Sequence, residues 1–265
     1  MEANLPMLQR LEHSLKNAAA KSRTKVVHEY FDAFLSPSPE PHLSFAVPKA
    51  GLEQPKAIEA LIETFYDHGR VPRLEYFHEL HPNVRGALGK KNFLQDMWAP
   101  VMTLTPQDLS SATQVNAAYQ PLTDDAEQMK TFLRCQSKAF GGADGDDALV
   151  WLAGMTSMMQ AGELMGAFLE QQGKMVSGAV IQGATDGELA GVWTLPNYQR
   201  QGLSYALCQR LLTDYFSKGQ ELCWLSAAEA ATKLYQKLGF AHAGVQINLR
   251  FDESLPELDQ KANSQ

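Results

Sequence analysis

The sequence predicts an α/β fold with mixed sheets flanked by helices, laid out as two halves of related design. Three observations carry this. Short β-forming segments alternate with amphipathic helical runs, and glycine or asparagine closes those runs. The pattern also recurs at a fixed offset, with Leu61, Ile62, Phe65, Tyr66 and Gly69 standing 150 positions before Leu211, Leu212, Tyr215, Phe216 and Gly219. Apolar residues at a 3.6-residue period mark a helix, and aromatic or branched runs bounded by turn residues mark strands.

Composition narrows the function class. At 265 residues with 45% hydrophobic content, the chain can bury one large core or two small ones. A net charge of −7 argues against a general nucleic-acid surface, which needs a basic stripe. Cys135, Cys208 and Cys223 are too few and too irregularly spaced for a disulfide framework or a zinc site, and read as small thiols of a reducing compartment. His78 and His81 form a His-x-x-His pair without a nearby carboxylate motif and read as solvent or turn histidines, so no metal is expected. No continuous apolar signal sequence opens the chain. The richest apolar run, Ala148–Leu169, is interrupted by Thr156, Ser157, Gln160 and Glu163 and reads as a helix followed by a strand. A cytoplasmic protein with neither membrane nor nucleic-acid partners is expected, its oligomeric state left open.

Taken in order, the prolines of the Ser36–Pro41 stretch break any regular element. A helix then closes at Gly69, a strand follows at Leu74–Phe77, and a second helical run stops at Asn92 before Phe93 and another strand. The polar stretch Thr105–Gln114 reads as an interdomain connection, giving domains 1–110 and 111–265. Gly141–Asp147 lacks the spacing and closing glutamate of a calcium loop and reads as a solvated turn. Trp151, Met155, Met158 and Met159 share one face of a helix, by default facing the core, alternatively lining an adaptable substrate wall. After the turn Thr185-Asp186-Gly187 comes the strand Glu188–Thr194, a basic loop, and a helix carrying Leu203, Ala206, Leu207, Leu211 and Leu212. The strand Leu222–Leu225 follows. A helix opened by Glu229, where a carboxylate suits the positive end of the dipole, then closes at Gly239-Phe240 before a last strand.

The junction Leu195–Ser204 carries the chemistry. A strand–loop–helix turn gathers backbone N–H groups at the positive end of a helix dipole, Gly202 permits close approach, and Arg200 adds charge, so the site suits a phosphate or pyrophosphate. The segment Gln199-Arg200-Gln201-Gly202-Leu203-Ser204, with Tyr235-Gln236-Lys237-Leu238-Gly239-Phe240 downstream, resembles the GNAT family of acetyl-CoA-dependent N-acyltransferases, whose loop reads Gln/Arg-x-x-Gly-x-Gly/Ala. Ser204 departs from the small apolar last position. The resemblance covers about Glu163–Phe251; over the first hundred residues only the element pattern supports it. There, Ala50, Leu52 and Leu88 stand where Arg200, Gly202 and Tyr235 stand in the second half. The chain is thus identified as a tandem GNAT arrangement with a degenerate first copy and a competent second one.

That resemblance implies the acyl-CoA N-acyltransferase fold with acetyl-CoA as co-substrate. Pantetheine would lie along Glu188–Thr194, nearest Val192, Trp193 and Thr194, where a backbone N–H stabilises the oxyanion. The pyrophosphate would rest on Arg200, Gln201, Gly202, Leu203, Ser204 and Tyr205. Tyr235 matches the tyrosine that faces the thioester sulfur as general acid, with packing in the helix as the alternative; a phenol near pKa 10 can donate to a thiolate whose parent thiol titrates near 8.5. Glu188 matches, by its interval from Gln199, the strand glutamate serving as base in one branch of the family, an inert strand-end carboxylate being the alternative. Many relatives have an asparagine touching the cofactor where Ala228 stands here. The implied function is acetyl transfer to a primary amine of a small molecule or peptide by direct attack. The alternative is a non-catalytic acyl-CoA sensor or scaffold, separable by tight CoA binding without turnover.

Overall fold

The computed structural model describes residues 4–38, 40–111, 113–142 and 146–254, with the side chains of 146–148 outside the description. Two compact units divide the chain. One runs through Val101 and takes up the chain again from Ala243; the other is Met102–His242. The connection expected around 110 therefore lies inside the second unit, and residues 243–254 pack with the first. Strand pairing explains both shifts.

The first unit begins with α1 (Leu5–Ser22), whose first turn is capped by the Asn4 side chain accepting from the Met7 amide at 3.2 Å. Then come β1 (Thr24–Val27), β2 (Phe31–Leu35), β3 (Phe45–Pro48), α2 (Pro55–Asp67), β4 (Arg73–Phe77), α3 (Val84–Gly89) and β5 (Phe93–Leu104). Pro55 at the first position of α2 fits a place where an N–H has no intrahelical partner, and Ile58, Leu61 and Phe65 bury one face. The stops read from sequence are present, with φ of +63° at Gly69 and +62° at Asn92. Neither α1 nor β1–β3 was anticipated.

The second unit contains β6 (Ala118–Pro121), α4 (Ala126–Ala139), α5 (Leu152–Gln160), β7 (Leu164–Gln171), β8 (Lys174–Gln182), β9 (Gly187–Thr194), α6 (Leu203–Ser217), β10 (Cys223–Ser226) and α7 (Thr232–Leu238). Asp125 caps α4 by accepting from the Gln128 amide at 2.8 Å. Two apolar cores form. Leu203, Leu207, Leu211 and Tyr235 pack with Leu189 in one; Met129, Phe132, Val180 and Trp193 form the other, with Met155, Met158 and Met159 against it. The methionines are half-buried, whereas Trp151 ends a 3-10 turn ahead of α5 and is 40% exposed.

The last strand, β11 (Ala241–Phe251), pairs antiparallel with β4, from Gln246 opposite Phe77 to Arg250 opposite Arg73. Neighbouring strands follow the order β1-β2-β3-β4-β11-β5 in the first unit and β5-β10-β9-β8-β7-β6 in the second, the unit boundary falling within β5, so the two separate tandem sheets expected are not found. Among the described residues, no helix is long and apolar enough to cross a membrane, and no group of three or more His, Cys, Asp or Glu could hold a metal ion. His81 is half-buried and meets Glu12 at 2.9 Å, so it is a structural partner of α1 and not a solvent histidine. His78 is likewise half-buried, its ring tilted 48° to that of Trp98 at 5.6 Å. Cys208 and Cys223 are buried free thiols, and burial pushes Cys208 up to about 12.

Candidate active site

Two parallel strands that part from one another create the site. β9 and β10 pair only at Gly187–Cys223 and Glu188–Trp224, after which β9 runs on to Thr194. Tyr215 on α6 clamps the closed end: its hydroxyl accepts from the Gly187 amide at 2.7 Å and donates to the Leu222 carbonyl at 3.1 Å. Only glycine fits at 187, since a Cβ there would stand 2.5 Å from the Ile181 side chain. Beyond this clamp the remaining length of β9 offers main-chain groups on the side that faced β10.

β9 also carries a bulge. Opposite β8 the register shifts between Gly178, which faces Trp193, and Val180, which faces Ala190, so β9 holds an extra residue at Gly191–Val192. Gly191 takes a φ of +57°, and its carbonyl accepts from the Gln136 side chain of α4 at 3.1 Å. Bulges of this kind re-aim backbone groups and recur beside active sites.

At the open end, a 3-10 turn at Pro196–Tyr198 leads into Gln199 and Arg200, the latter with φ +65°, and Gly202 caps α6 at φ +77°. No side chain caps this helix. The turn satisfies the amides of Tyr198 and Gln199, and α6 takes up hydrogen bonding with the Ala206 amide to the Gly202 carbonyl at 3.1 Å. Among the described residues, the backbone amides from Arg200 to Tyr205 have no such partner. Six consecutive donors at the positive end of a fifteen-residue helix make a cradle of the geometry that suits an anion. Thr194, Tyr198, Arg200, Gly202, Ser204 and Leu234 line the cleft above it, of about 330 Å³.

Ser204, the departure from the family pattern, is accounted for by a chain of hydroxyls. Ser177 donates its one hydrogen to the Trp193 carbonyl at 2.7 Å. Thr194 must then donate to Ser177 at 2.8 Å, and Ser204 to Thr194 at 2.7 Å. The Ser204 hydrogen is therefore committed inward, bracing the first turn of α6 against β9.

The corresponding turn of the first unit offers nothing comparable. Between β3 and α2, the Leu52 amide bonds to the Lys49 carbonyl, Gln54 to Gly51, and Ala57 and Ile58 to Gln54. Pro55 has no N–H to give. Leu52 is fully buried, Tyr30 packs against Gly51, and Leu88 lies in the core.

The remaining residues singled out from sequence fall in different places. Val192 packs on the α6 face, whereas the Trp193 side chain is buried on the α4 face against Phe132, leaving only its backbone for a cofactor. Leu203 is buried and contributes its amide alone; Gln201 is exposed, and half-buried Tyr205 lines the cleft. Tyr235 is 8% exposed, in edge contact with Phe240, and it is Leu234, not Tyr235, that reaches the cleft wall. Burial and the neighbouring Cys208 thiol raise the Tyr235 phenol above its ordinary value, holding it protonated. Half-buried Glu188 stands four residues before Val192, so about 13 Å of strand separates them at ~3.3 Å per residue. Glu229 is exposed and opens a 3-10 turn ahead of α7, with Ala228 before it. Gln136 escaped the sequence reading, although Asp125 followed by Met129, Phe132 and Leu133 at helical spacing marks its helix.

Residues 123–240 match the model described as the acetyltransferase (GNAT) family. Over 84 residues the chain is 37% identical to the [Ribosomal protein bS18]-alanine N-acetyltransferase of Escherichia coli (strain K12), a match covering 30% of this chain and 57% of that protein. The Shigella flexneri protein of the same name matches with the same figures, so the chain spans little more than half the length of these curated relatives. By structure it is similar to a GCN5-related N-acetyltransferase from Kribbella flavida, with TM-score 0.77 at 20% identity over 95% of this chain and 97% of that one. Another, from Sphaerobacter thermophilus, gives 0.65 at 13% identity over 92% and 88%. At such identities the likeness concerns the fold.

Proposed function

We propose that this chain, whose residues 123–240 carry the GNAT-family match, binds acetyl-CoA at the β9–α6 junction and transfers the acetyl group to a primary amine by direct attack. The observation that carries this reading is the row of amides from Arg200 to Tyr205 without backbone partners, at the mouth of two diverging strands. Such a cradle takes a pyrophosphate, and the freed edge of β9 takes the amide-bearing pantetheine arm. Arg200 supplies charge at the rim. Acetyl-CoA delivers the thioester; the chain's part is to hold it, exclude water and manage protons. Tyr235, kept neutral by burial, donates to the departing sulfur, and Glu188 draws the proton from the amine through water across the intervening strand.

The acceptor is a small-molecule or peptide amine. Because the curated relatives act on an alanine of a ribosomal protein, alanyl peptides are the first acceptors to test. Along the chain, β3-α2-β4-α3-β5 fits a degenerate copy of β9-α6-β10-α7-β11, with the same order of strand, helix, strand, short helix and strand, and among the described residues only the later run keeps an open amide row ahead of its first helix. Titration calorimetry with acetyl-CoA, followed by thiol release with a panel of alanyl and other amines, tests the proposal. Binding with release on at least one amine is expected. Binding without release on any amine would instead favour the sensor, and absence of binding removes both.

A further inference from the structure

We infer that Gln136 is a positioning residue that aims the Val192 N–H at the thioester carbonyl; this rests on the acetyl-CoA reading above. The argument starts from peptide geometry. A trans peptide holds its C=O and the following N–H in opposite directions, and among the described residues no cis bond occurs. Gln136 on α4 captures the Gly191 carbonyl at 3.1 Å, across 55 positions of sequence. The next N–H, that of Val192, is thereby turned away from α4, toward the sheet face where Val192 packs with α6 and where Tyr235 is buried. Val192 falls in the bulge, where no β8 residue is its register partner, so the ladder does not fix this amide's direction.

The bulge and the glutamine are fitted to one another. Gly191 adopts φ +57°, which favours glycine, and a Cβ at 191 would stand 2.4 Å from the Gln136 amide nitrogen. Gln136 is half-buried, and its donated hydrogen bond goes to a carbonyl that a regular strand would have paired with its neighbour. A donor that meets the oxyanion only in the transition state raises turnover without tightening binding of the ground state. Gln136 therefore acts on kcat through Val192, without touching substrate.

The test uses the full chain with acetyl-CoA labelled with ¹³C at the acetyl carbonyl. In the wild type the carbonyl resonance moves downfield on binding as an N–H polarises it. In Gln136→Leu the resonance returns toward that of free acetyl-CoA, and thiol release falls roughly tenfold or more, while the Kd for acetyl-CoA stays within about twofold. Gln136→Asn, which keeps the amide but shortens its reach, and Gly191→Ala, which displaces it, repeat the measurement should the leucine variant fail to fold. An unshifted carbonyl in the wild type, or the same shift retained in folded variants, overturns the assignment. So does loss of affinity in step with the shift, since Gln136 would then shape the cleft and not aim one donor. A wild type that does not bind acetyl-CoA overturns the functional reading itself.

Discussion

Two left-handed glycines a short way apart in sequence separate backbone strain from site chemistry. Gly202 and Gly239 have φ of +77° and +105°. Alanine at either position must take up a left-handed conformation, at about 1–2 kcal/mol. At Gly202 an added Cβ meets nothing within 4 Å, so strain is the whole of the stability loss. At about 2–4 °C per kcal/mol for a chain of this size, Gly202→Ala should lower Tm by about 2–8 °C. At Gly239 the Cβ would lie 1.9 Å from the Asp108 carbonyl oxygen, in the segment whose Ser110 amide bonds to the Leu238 carbonyl at 3.0 Å. Overpacking adds about 1–3 kcal/mol, and Gly239→Ala should be the less stable of the two. Ligand binding should reverse the order. The Gly202 methyl would point into space that a pyrophosphate oxygen must enter, losing at least one hydrogen bond to a charged group. That is about 1.5–3 kcal/mol, or roughly 10- to 150-fold in Kd. Thermal unfolding followed by circular dichroism and calorimetry with acetyl-CoA read both effects. Wild-type affinity in Gly202→Ala would refute the cradle, and equal stability of the two variants would refute the steric argument.

Ser204→Ala removes one bond of the hydroxyl chain and should cost about 1 kcal/mol of stability, some 2–4 °C in Tm. Its Kd for acetyl-CoA should stay within about twofold, because that hydrogen points to Thr194; a tenfold loss would make the serine a cofactor ligand. Tyr235→Phe should lower kcat by about a hundredfold or more with acetyl-CoA affinity retained, measured by thiol release and calorimetry. The same variant tests linkage. Since the folded phenol titrates above the ordinary value near 10, its neutral form supports folding below that pH, and stability falls as pH rises beyond it. Tyr235→Phe should therefore lose less Tm than wild type above about pH 10. Glu12 is the opposite case: burial raises its carboxyl, but the hydrogen bond from His81 and the charge of Lys16 outweigh burial and hold it below 4.5. Its contribution is present above 4.5 and lost as pH falls through the lower folded value, so Glu12→Gln should flatten the decline of Tm on acidification below 4.5.

What could be read from the sequence was local. The strand ending at Thr194, the loop glycine Gly202 before α6, and the stops at Gly219, Gly239 and Asn92 each declare themselves within a few residues, because turn chemistry and helical period are short-range. The strand–loop–helix junction that carries Arg200–Tyr205 was legible for the same reason. The bulge at Gly191 was not: a strand glycine has several causes, and only the distant Gln136 identifies this one. Tyr235 was placed on the right helix, but its depth depends on Cys208 and Phe240 packing around it. Neither the pairing of β11 with β4 nor the unit boundaries could be read, because strand partners are chosen by packing and leave no period in the chain.

The pairing of β11 with β4 sets a rule for taking the molecule apart. A fragment beginning near residue 111 would hold the amide cradle and Tyr235, yet end in an eleven-residue strand whose antiparallel neighbour had been left behind. Its buried run, including Ile247 and Leu249, would become an exposed apolar edge, a template for aggregation. The converse fragment would lack the strand that covers β4. Genetic dissection into a "catalytic half" and a "dead half" would thus yield insolubility in both, a result easily mistaken for loss of activity.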